Sequence, residues 1–314
     1  MAGLTVLFST FNGEATLPRM LEALGAAEVP RGGWKIVAVD NGSTDRSLGI
    51  LKSAQRRLPL TVVSEPRRGK SRGLNAGLPL VEGDLVVLTD DDVVPEPDWL
   101  TRFRRIADDR TEYDVFGGAI YPVWPGEPPA WIRCAPKGHF AWTDFADGPA
   151  KPTQIWGPNM AVRSRLLAGR RFREGIGPDG AARYATGMET EFVLRLSRAG
   201  CRCWHSRDVV VGHIIEPRQL TFEWLMQRTL NHGLGTMRLF ADHYSQPARP
   251  LLGAPRRLLH DWRLKQRARA AAACLSSEFD ERFGALHELQ PAEVEVDDWR
   301  SRRLVRARAS ARES

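Results

Sequence analysis

The chain has 314 residues, of which 42% are hydrophobic and 26% charged, so its composition is that of a globular protein and excludes a disordered or fibrous one. Its formal net charge of +7 favours anionic partners such as nucleotides, acidic lipid headgroups or nucleic acid. The chain opens on a short apolar run without a basic start, and no apolar stretch is long enough to span a bilayer. We therefore expect a cytoplasmic protein built from one large α/β domain, with or without an appendage.

Strands and helices alternate through the first ninety residues. Apolar runs predict strands and helical spacing of apolar residues predicts helices. The predicted elements are strands at 4–8, 36–39, 60–63 and 85–88 and helices at 14–26, 48–54 and 73–78. Strands and helices that alternate at such short intervals along the sequence imply βαβ units and a parallel sheet. The fourth strand is a continuous apolar run, which is typical of a parallel strand covered on both faces.

Three carboxylates, Asp90, Asp91 and Asp92, follow the fourth strand directly. Ligands of open α/β sheets bind at the carboxyl ends of the strands. Adjacent ionised carboxylates repel one another, so we expect a positive group beside them. Mg²⁺ or Mn²⁺ fits, because such a cation takes oxygen ligands and bridges to substrate phosphates. Taken alone, the triplet would more often mark a solvated acidic turn.

The second half of the chain is less regular. Its predicted elements are a helix at 97–106, strands at 115–120, 157–163 and 209–213, and helices from 187 and over 222–240. Between 121 and 158 the chain is rich in Pro, Gly and Trp, and its aromatic rings either stack on sugars or pack against the sheet. We expect a domain at 1–240, with a nucleotide-binding half at 1–115 and an acceptor and catalytic half at 116–240.

A basic helical extension is predicted over 241–314, where the composition shifts to Arg and Ala. Three interpretations of this extension stay open. It lies on an anionic membrane surface at the inner face of the membrane, it pairs with a second copy of the chain, or it packs on the domain as a solvated helical hairpin.

Six short motifs stand in a fixed order along residues 3–240. They are Ser9–Asn12, Val39–Asp45, Gly69–Gly77, Thr89–Asp92, Gly157–Ala161 and Gly187–Glu191. In this order and spacing the chain resembles the family 2 inverting glycosyltransferases of the GT-A fold. The resemblance implies an α/β, Rossmann-like, mostly parallel sheet flanked by helices, as in nucleotide-diphospho-sugar transferases, followed by the C-terminal helical extension.

The resemblance also implies a substrate pair and a cofactor. The donor would be a UDP-, GDP- or dTDP-sugar, the acceptor a glycan, a lipid-linked molecule or a small molecule, and the cofactor Mn²⁺ or Mg²⁺. Asp92 and His213 would bind the metal, although a lone histidine is as often structural. The residues that would bind the donor nucleotide are Thr10, Phe11, Asn12, Asp40, Lys70, Arg72, Asn75, Asp90 and Asp91.

Inversion at the anomeric carbon requires one general base to take the proton of the acceptor hydroxyl. In the family this base is the second acid of a Glu-Asp pair at the start of a helix. Here the pair is Met188-Glu189, so Glu189 takes the position of the base and Glu191 that of a supporting acid. The structural alternative is that Glu189 only stabilises the helix by its charge near the N-terminal end of the helix dipole.

The sequence also bears on three alternative functions. A nucleotidyltransferase of related fold also uses a carboxylate-held Mg²⁺, but the turn after the first strand, Thr10–Gly13, is not a Gly-rich phosphate loop. A dehydrogenase is disfavoured because no Gly-x-Gly-x-x-Gly follows that strand. The basic charge alone suggests a non-catalytic protein that binds nucleic acid or a membrane surface. Without a recognition module, we expect no nucleic-acid partner.

Overall fold

The computed structural model describes residues 3–143 and 145–244. Met1–Pro128 and Pro136–His243 belong to one compact unit, and Pro129–Ala135 belong to a second unit with the residues from Tyr244 onward. The predicted basic extension therefore lies outside the described residues, apart from the end of the last helix. None of the described helices combines the length and the apolar character that a membrane crossing needs.

The first half of the described chain alternates strands and helices, as its sequence predicts. The elements are β1 Leu4–Thr10, α1 Leu17–Gly25, β2 Trp34–Asp40, α2 Ser47–Ala54, β3 Leu60–Ser64, α3 Lys70–Gly77, β4 Leu85–Leu88, β5 Val93–Pro95 and α4 Trp99–Asp109. In the second half, single-turn helices separate fewer regular elements. These are β6 Val115–Val123, β7 Gly148–Ala150, β8 Met160–Arg163, α5 Met188–Arg198, β9 Cys203–Ile214 and α6 Phe222–Tyr244.

The described strands form one mixed sheet in the order β3-β2-β1-β4-β8-β6-β9-β5, with β7 paired to β9. β1 to β4 are parallel, whereas β8 runs antiparallel to both β4 and β6. After β1 the chain forms β2 on one side of it and later β4 on the other, so a topological switch point lies between β1 and β4. A crevice for ligands opens at such a point, at the carboxyl ends of the strands.

The central strands are covered on both faces, as the continuous apolar run of β4 predicts. Val6, Phe8 and Val87 pack on the side of α1 and α4, and Leu7 and Val86 pack on the side of α3 and α5. The alternation follows the period of two along a strand. This packing makes the edge that carries the acidic triplet a rigid platform.

β9 is longer than its predicted segment, because it begins at Cys203 and not at 209. Its first half carries polar side chains that hide the strand pattern, yet His205 is buried and its ring nitrogen lies 3.2 Å from the carbonyl oxygen of Gly118. β9 pairs with β6 along its length, with an irregularity after Gly118. This pairing carries His213, near the end of β9, to the edge of the acidic triplet.

Candidate active site

The acidic triplet lies at the carboxyl end of β4, beside the end of β1. The register pairs Leu7 with Leu88, so Thr10 and Asp91 are brought to the same level, and the hydroxyl of Thr10 donates a hydrogen bond to Oδ2 of Asp91. Burial, and next the charge of Asp92, raise the pKa of Asp91 to about 7. Asp91 is thus a protonatable group held against β1 by this hydrogen bond. Burial also raises the pKa of Asp90, whereas His213 outweighs burial at Asp92 and lowers the pKa of that carboxyl.

Lys70, the first residue of α3, bridges two carboxylates. Its ammonium nitrogen lies 2.5 Å from Oδ1 of Asp90 and 2.7 Å from Oε1 of Glu189. Burial alone would lower the pKa of Lys70, but the two carboxylates outweigh it and raise the pKa. For Glu189 burial is likewise outweighed, and Lys70 holds the pKa of this carboxyl below its usual value. The lysine is charged and Glu189 is ionised.

Asp92 and His213 are in direct contact at the point where β5 pairs with β9. Nε2 of His213 lies 3.1 Å from Oδ2 of Asp92, and Nδ1 lies 2.9 Å from the carbonyl oxygen of Phe140. A carbonyl only accepts, so Nδ1 carries a proton and Nε2 is the nitrogen free to bind a proton or a metal ion. Burial disfavours the imidazolium, but Asp92 raises the pKa of His213 above its usual value.

Glu189 is positioned by two glycines. Gly187, at φ +90°, forms the left-handed turn from which α5 starts, so Glu189 lies in the first turn of the helix. The carboxyl group of Glu189 lies directly against Gly157, where a Cβ atom would collide with Oε1. Glu191, in contrast, is bound by Arg195 at 2.8 Å on the same helix. The two acids of this motif therefore have different surroundings.

Two cavities meet at the triplet. The smaller one, about 210 Å³, opens between the end of β1, the start of α3 and the loop at 178–180. The guanidinium of Arg68 lies 4.7 Å from the ring centre of Phe11 at this cavity, which gives a flat cationic surface suited to a nucleobase. The larger cavity, about 760 Å³, extends from the triplet over Glu189 and His213 to α6. Lys70, Asp90 and Asp92 line both.

The family model of glycosyl transferase family 2 matches residues 5–172, more than half of the chain. The chain belongs to glycosyl transferase family 2. This confirms the family expected from the six motifs. The predicted GT-A fold is confirmed as well, since solved glycosyltransferases superpose on the described structure.

Two such structures are a mannosyltransferase from Pyrobaculum calidifontis, in complex with GDP-Man and Mn²⁺, and TarS from S. aureus, in complex with UDP-GlcNAc. The first is 22% identical with a TM-score of 0.57 and covers 92% of this family 2 chain and 81% of its own. The second is 18% identical with a TM-score of 0.52 and covers 69% of this chain and 59% of its own. At these identities the likeness concerns the fold.

Curated relatives are named for sugar transfer involving lipid phosphates. An undecaprenyl-phosphate 4-deoxy-4-formamido-L-arabinose transferase of Pseudomonas aeruginosa is 33% identical over 117 residues, 36% of this chain and 34% of the relative. A dolichyl N-acetyl-alpha-D-glucosaminyl phosphate 3-beta-D-2,3-diacetamido-2,3-dideoxy-beta-D-glucuronosyltransferase of Methanococcus voltae is 23% identical over 244 residues, 73% of this chain and 71% of the relative. This family 2 chain thus spans about a third of the length of the first curated relatives that it matches.

Most of the predicted site residues line the two cavities. They are Thr10, Phe11, Lys70, Asp90, Asp91, Asp92, Glu189 and His213. Their roles in a reaction stay predictions, because the structure shows placement only. Their common position supports a single site shared by the motifs of the first and second halves of this family 2 domain.

Four other predicted site residues do not line either cavity in the part of the chain that the structure describes. Asn12 accepts a hydrogen bond from the backbone of Thr44, and Arg72 pairs with Glu174. Asn75 is buried and exchanges two hydrogen bonds with the backbone of Phe172, and Asp40 is buried at the end of β2. Their nucleotide-binding roles also stay predictions.

Several cavity residues are not among the predicted site residues. They are Asn41 and Arg68 at the smaller cavity, and His139, Trp156, Tyr184, Arg218, Trp224, Arg228 and His232 at the larger one. The side chain of Asn41 is the clearest case, because it bonds the carbonyls of Glu65 and Arg67 and the amide of Gly69, and so shapes the loop before Lys70. The sequence feature that points to Asn41 is its position beside Asp40 in the second motif.

Proposed function

We propose that this protein is a metal-dependent inverting glycosyltransferase, which moves a sugar from a nucleoside-diphosphate donor to an acceptor hydroxyl. The observation that carries the proposal is the convergence of Asp92, His213, Lys70 and Glu189 where the two cavities meet. The nucleoside occupies the smaller cavity, and the sugar and the acceptor occupy the larger one. The volume of the larger cavity lies within the range of sites for small-molecule ligands.

The residues at the triplet fit a divalent cation that is shared with the substrate. Oδ1 of Asp92 is buried without a hydrogen-bond partner in the described structure, and Nε2 of His213 lies beside the same carboxylate. No group of three or more His, Cys, Asp or Glu side chains able to hold a metal ion occurs in the described ranges. Mg²⁺ and Mn²⁺ in such sites take one or two protein groups and complete their shell with phosphate oxygens and water. Asp92 and His213 would be those two groups.

When bound, the cation would supply positive charge to the departing diphosphate. Lys70 adds a second positive charge at the same edge, and the Lys70 ammonium is free to exchange a carboxylate for a phosphate oxygen of the donor. Glu189 takes the proton of the acceptor hydroxyl as the acceptor oxygen attacks the anomeric carbon. The bond from that carbon to the phosphate oxygen breaks on the opposite face, which inverts the configuration, and the nucleoside diphosphate leaves.

The acceptor is proposed to be lipid-linked. The support comes from the curated relatives, whose names refer to undecaprenyl phosphate and to dolichyl phosphate. Donor nucleotides of the UDP or GDP class are supported by the solved complexes of TarS with UDP-GlcNAc and of the mannosyltransferase with GDP-Man. That dTDP-sugars are donors stays a prediction from the sequence.

The test is an assay of donor turnover in which the configuration of the product is read. Purified full-length protein is incubated with each nucleotide sugar, Mn²⁺ and a panel of polyprenyl phosphates, lipid-linked sugars and alkyl glycosides. Proton NMR of the first-formed product is expected to show an anomeric configuration opposite to that of the donor. Retention of configuration would exclude the single-displacement mechanism, and turnover that persists in Glu189→Gln would exclude Glu189 as the base.

A further inference from the structure

The larger cavity is lined in part by basic side chains of two segments. Arg228 and His232 stand one turn apart on α6, and His139 comes from the loop between β6 and β7. The rings of His139 and His232 are stacked with their centres 4.9 Å apart, and a nitrogen of His139 lies 2.9 Å from the hydroxyl of Thr229. We call His139, Arg228 and His232 the basic subsite.

The basic subsite has buried polar atoms without hydrogen-bond partners in the described structure. Arg228 binds the hydroxyl of Tyr184 at 3.2 Å, but its Nε is buried without a hydrogen-bond partner, and so is Nε2 of His232, in the part of the chain that the structure describes. No carboxylate of the described residues forms an ion pair with Arg228. A buried polar group without a partner destabilises the protein, and a charged one more so, which makes such a group a candidate for ligand binding.

Other cations of this region do have carboxylate partners, whether they are buried or exposed. Lys70 bridges Asp90 and Glu189, and Arg218 is paired with Glu216 at 2.6 Å. Arg195, at the end of α5, is paired with Glu191. The lack of a carboxylate at Arg228 is therefore a property of the basic subsite and not of the whole cavity wall.

Two arginines that line the larger cavity act electrostatically on different carboxyl groups. The pKa of Arg218 is raised first by the hydrogen bond with Glu216, against burial, and Asp92 adds to the effect. For Glu189, burial is outweighed first by Lys70, and Arg228 further lowers the pKa. Arg228 lines the same cavity as Glu189, so its charge acts at the residue proposed as the base, where the acceptor hydroxyl would be deprotonated.

A further positive charge is unfavourable in the basic subsite. Burial, and next the charge of Arg228, lower the pKa of both His139 and His232. Both rings are therefore neutral at pH 7, and Arg228 supplies the positive charge that attracts an anion to the subsite. A phosphate group, with several acceptor oxygens at tetrahedral angles, matches a guanidinium and two imidazoles that approach from different elements better than a planar carboxylate does.

We propose that His139, Arg228 and His232 bind a phosphate group of the acceptor, close to the hydroxyl that Glu189 deprotonates. The proposal rests on the proposed function, since it assigns the larger cavity to the acceptor. It adds a recognition element: neutral acceptors lack the group that the basic subsite holds. The phosphate is assigned to the acceptor because the basic subsite lines the larger cavity together with Glu189 and does not line the smaller one.

The experiment is a calorimetric titration of butyl phosphate into full-length protein that has been loaded with Mg²⁺ and whichever of UDP and GDP binds. Loading fills the donor diphosphate position, so binding of butyl phosphate reports a second anion site. Butanol is the neutral control probe. We expect binding of butyl phosphate that becomes about 10-fold to 100-fold weaker in Arg228→Gln, the range that follows from losing a charged hydrogen bond.

Three further variants make the result specific. His232→Gln is expected to weaken the binding of butyl phosphate, and Arg228→Lys is expected to retain part of it because the charge stays. Arg238→Gln is the matched control, because Arg238 is also on α6 but is exposed and bonds the carbonyl of Gly175 outside the cavity lining. Arg238→Gln is expected to leave the affinity unchanged.

Each other outcome overturns the proposal or a defined part of it. Absence of butyl phosphate binding, or equal binding in the wild type, Arg228→Gln and His232→Gln, would exclude the subsite. Butyl phosphate that displaces the nucleotide would place the anion on the donor side. If neither UDP nor GDP binds, the proposed function fails for these donors, and the same titration of the unloaded protein still decides whether the subsite binds phosphate.

Discussion

The ammonium nitrogen of Lys70 lies 2.7 Å from Oε1 of Glu189, and this ion pair joins the first turn of α3 to the first turn of α5. Lys70 also contacts Asp90 of the acidic triplet. The residue proposed as the base is thereby coupled through one lysine to the edge where the donor diphosphate would bind. A diphosphate that attracts Lys70 would weaken its contact with Glu189 and leave that carboxylate available to the acceptor hydroxyl.

Replacement of Lys70 by Met is expected to raise the pKa of Glu189, because the cation that stabilises the ionised carboxyl is removed while burial remains. A base must be ionised to act, so the acidic limb of the pH–rate profile is expected to move to higher pH. Nucleotide affinity is expected to fall as well. The measurement is kcat/KM over pH 5 to 9 for the wild type, Lys70→Met and Lys70→Arg, and an unmoved limb in Lys70→Met would disprove the coupling.

Replacement of Glu189 by Gln is expected to reduce the rate of sugar transfer by about 10²-fold to 10⁴-fold, the range for loss of a general base. Binding of the nucleotide should persist, because the smaller cavity does not include Glu189. Glu191→Gln is the matched control on the same helix, since Glu191 is occupied by Arg195. Equal losses of activity in the two variants would point to damage of α5 and not to loss of a base.

Replacement of Gly157 by Ala is expected to impair transfer although it adds only a methyl group. The Cβ atom would collide with Oε1 and Cδ of Glu189, so the carboxyl group must move. We expect a lower kcat with little change in nucleotide affinity. Gly49→Ala is the control, because Gly49 is in α2 with no atom within 4 Å of the added carbon, and alanine in a helix is favoured over glycine. A kcat for Gly157→Ala equal to that of the control would contradict the placement of Glu189.

The stability of the protein is expected to fall as the pH decreases from 7 toward 4. Burial, Arg228 and His139 lower the pKa of His232 from 6.5 to about 4, so between these values the unfolded chain binds a proton that the folded protein does not. Stability is therefore retained above pH 6.5 and lost as the pH falls toward 4. Urea denaturation at pH 8, 6 and 5 should show a smaller loss in His232→Gln than in the wild type. An equal loss in both would contradict the shifted pKa.

The parallel half of the fold follows from the sequence for a physical reason. Strands such as Leu85–Leu88 are buried on both faces, so their apolar runs are continuous and visible without any knowledge of the partners. β5 and the first half of β9 were missed, because Val93–Pro95 is short and β9 places buried polar residues such as His205 in its pattern. β5 pairs with β9, and the first half of β9 pairs with β6 and β7, so these strands depend on contacts between segments that are far apart in the sequence.

The candidate site likewise contains residues that the sequence locates and residues that it does not. The triplet and Glu189 are next to regular elements, so motif and spacing together locate them. Arg228, His232 and His139 are not among the predicted site residues, because a basic residue on an amphipathic helix resembles any solvated one until the fold brings another segment against it. Asn75 shows the opposite effect, since its motif suggested a nucleotide contact and its side chain is fully engaged with the backbone of Phe172.

The most direct test of the central claim is the binding of donor nucleotides and its dependence on metal. Melting temperatures and calorimetric titrations of the full-length protein are compared for UDP, GDP, dTDP and their sugars, each with and without Mn²⁺. A ligand of the native state raises the melting temperature by mass action. The account predicts that one nucleotide stabilises the protein, that Mn²⁺ increases the effect, and that Asp92→Asn removes the increase. Absence of stabilisation by every nucleotide in a folded sample with Mn²⁺ would contradict the account.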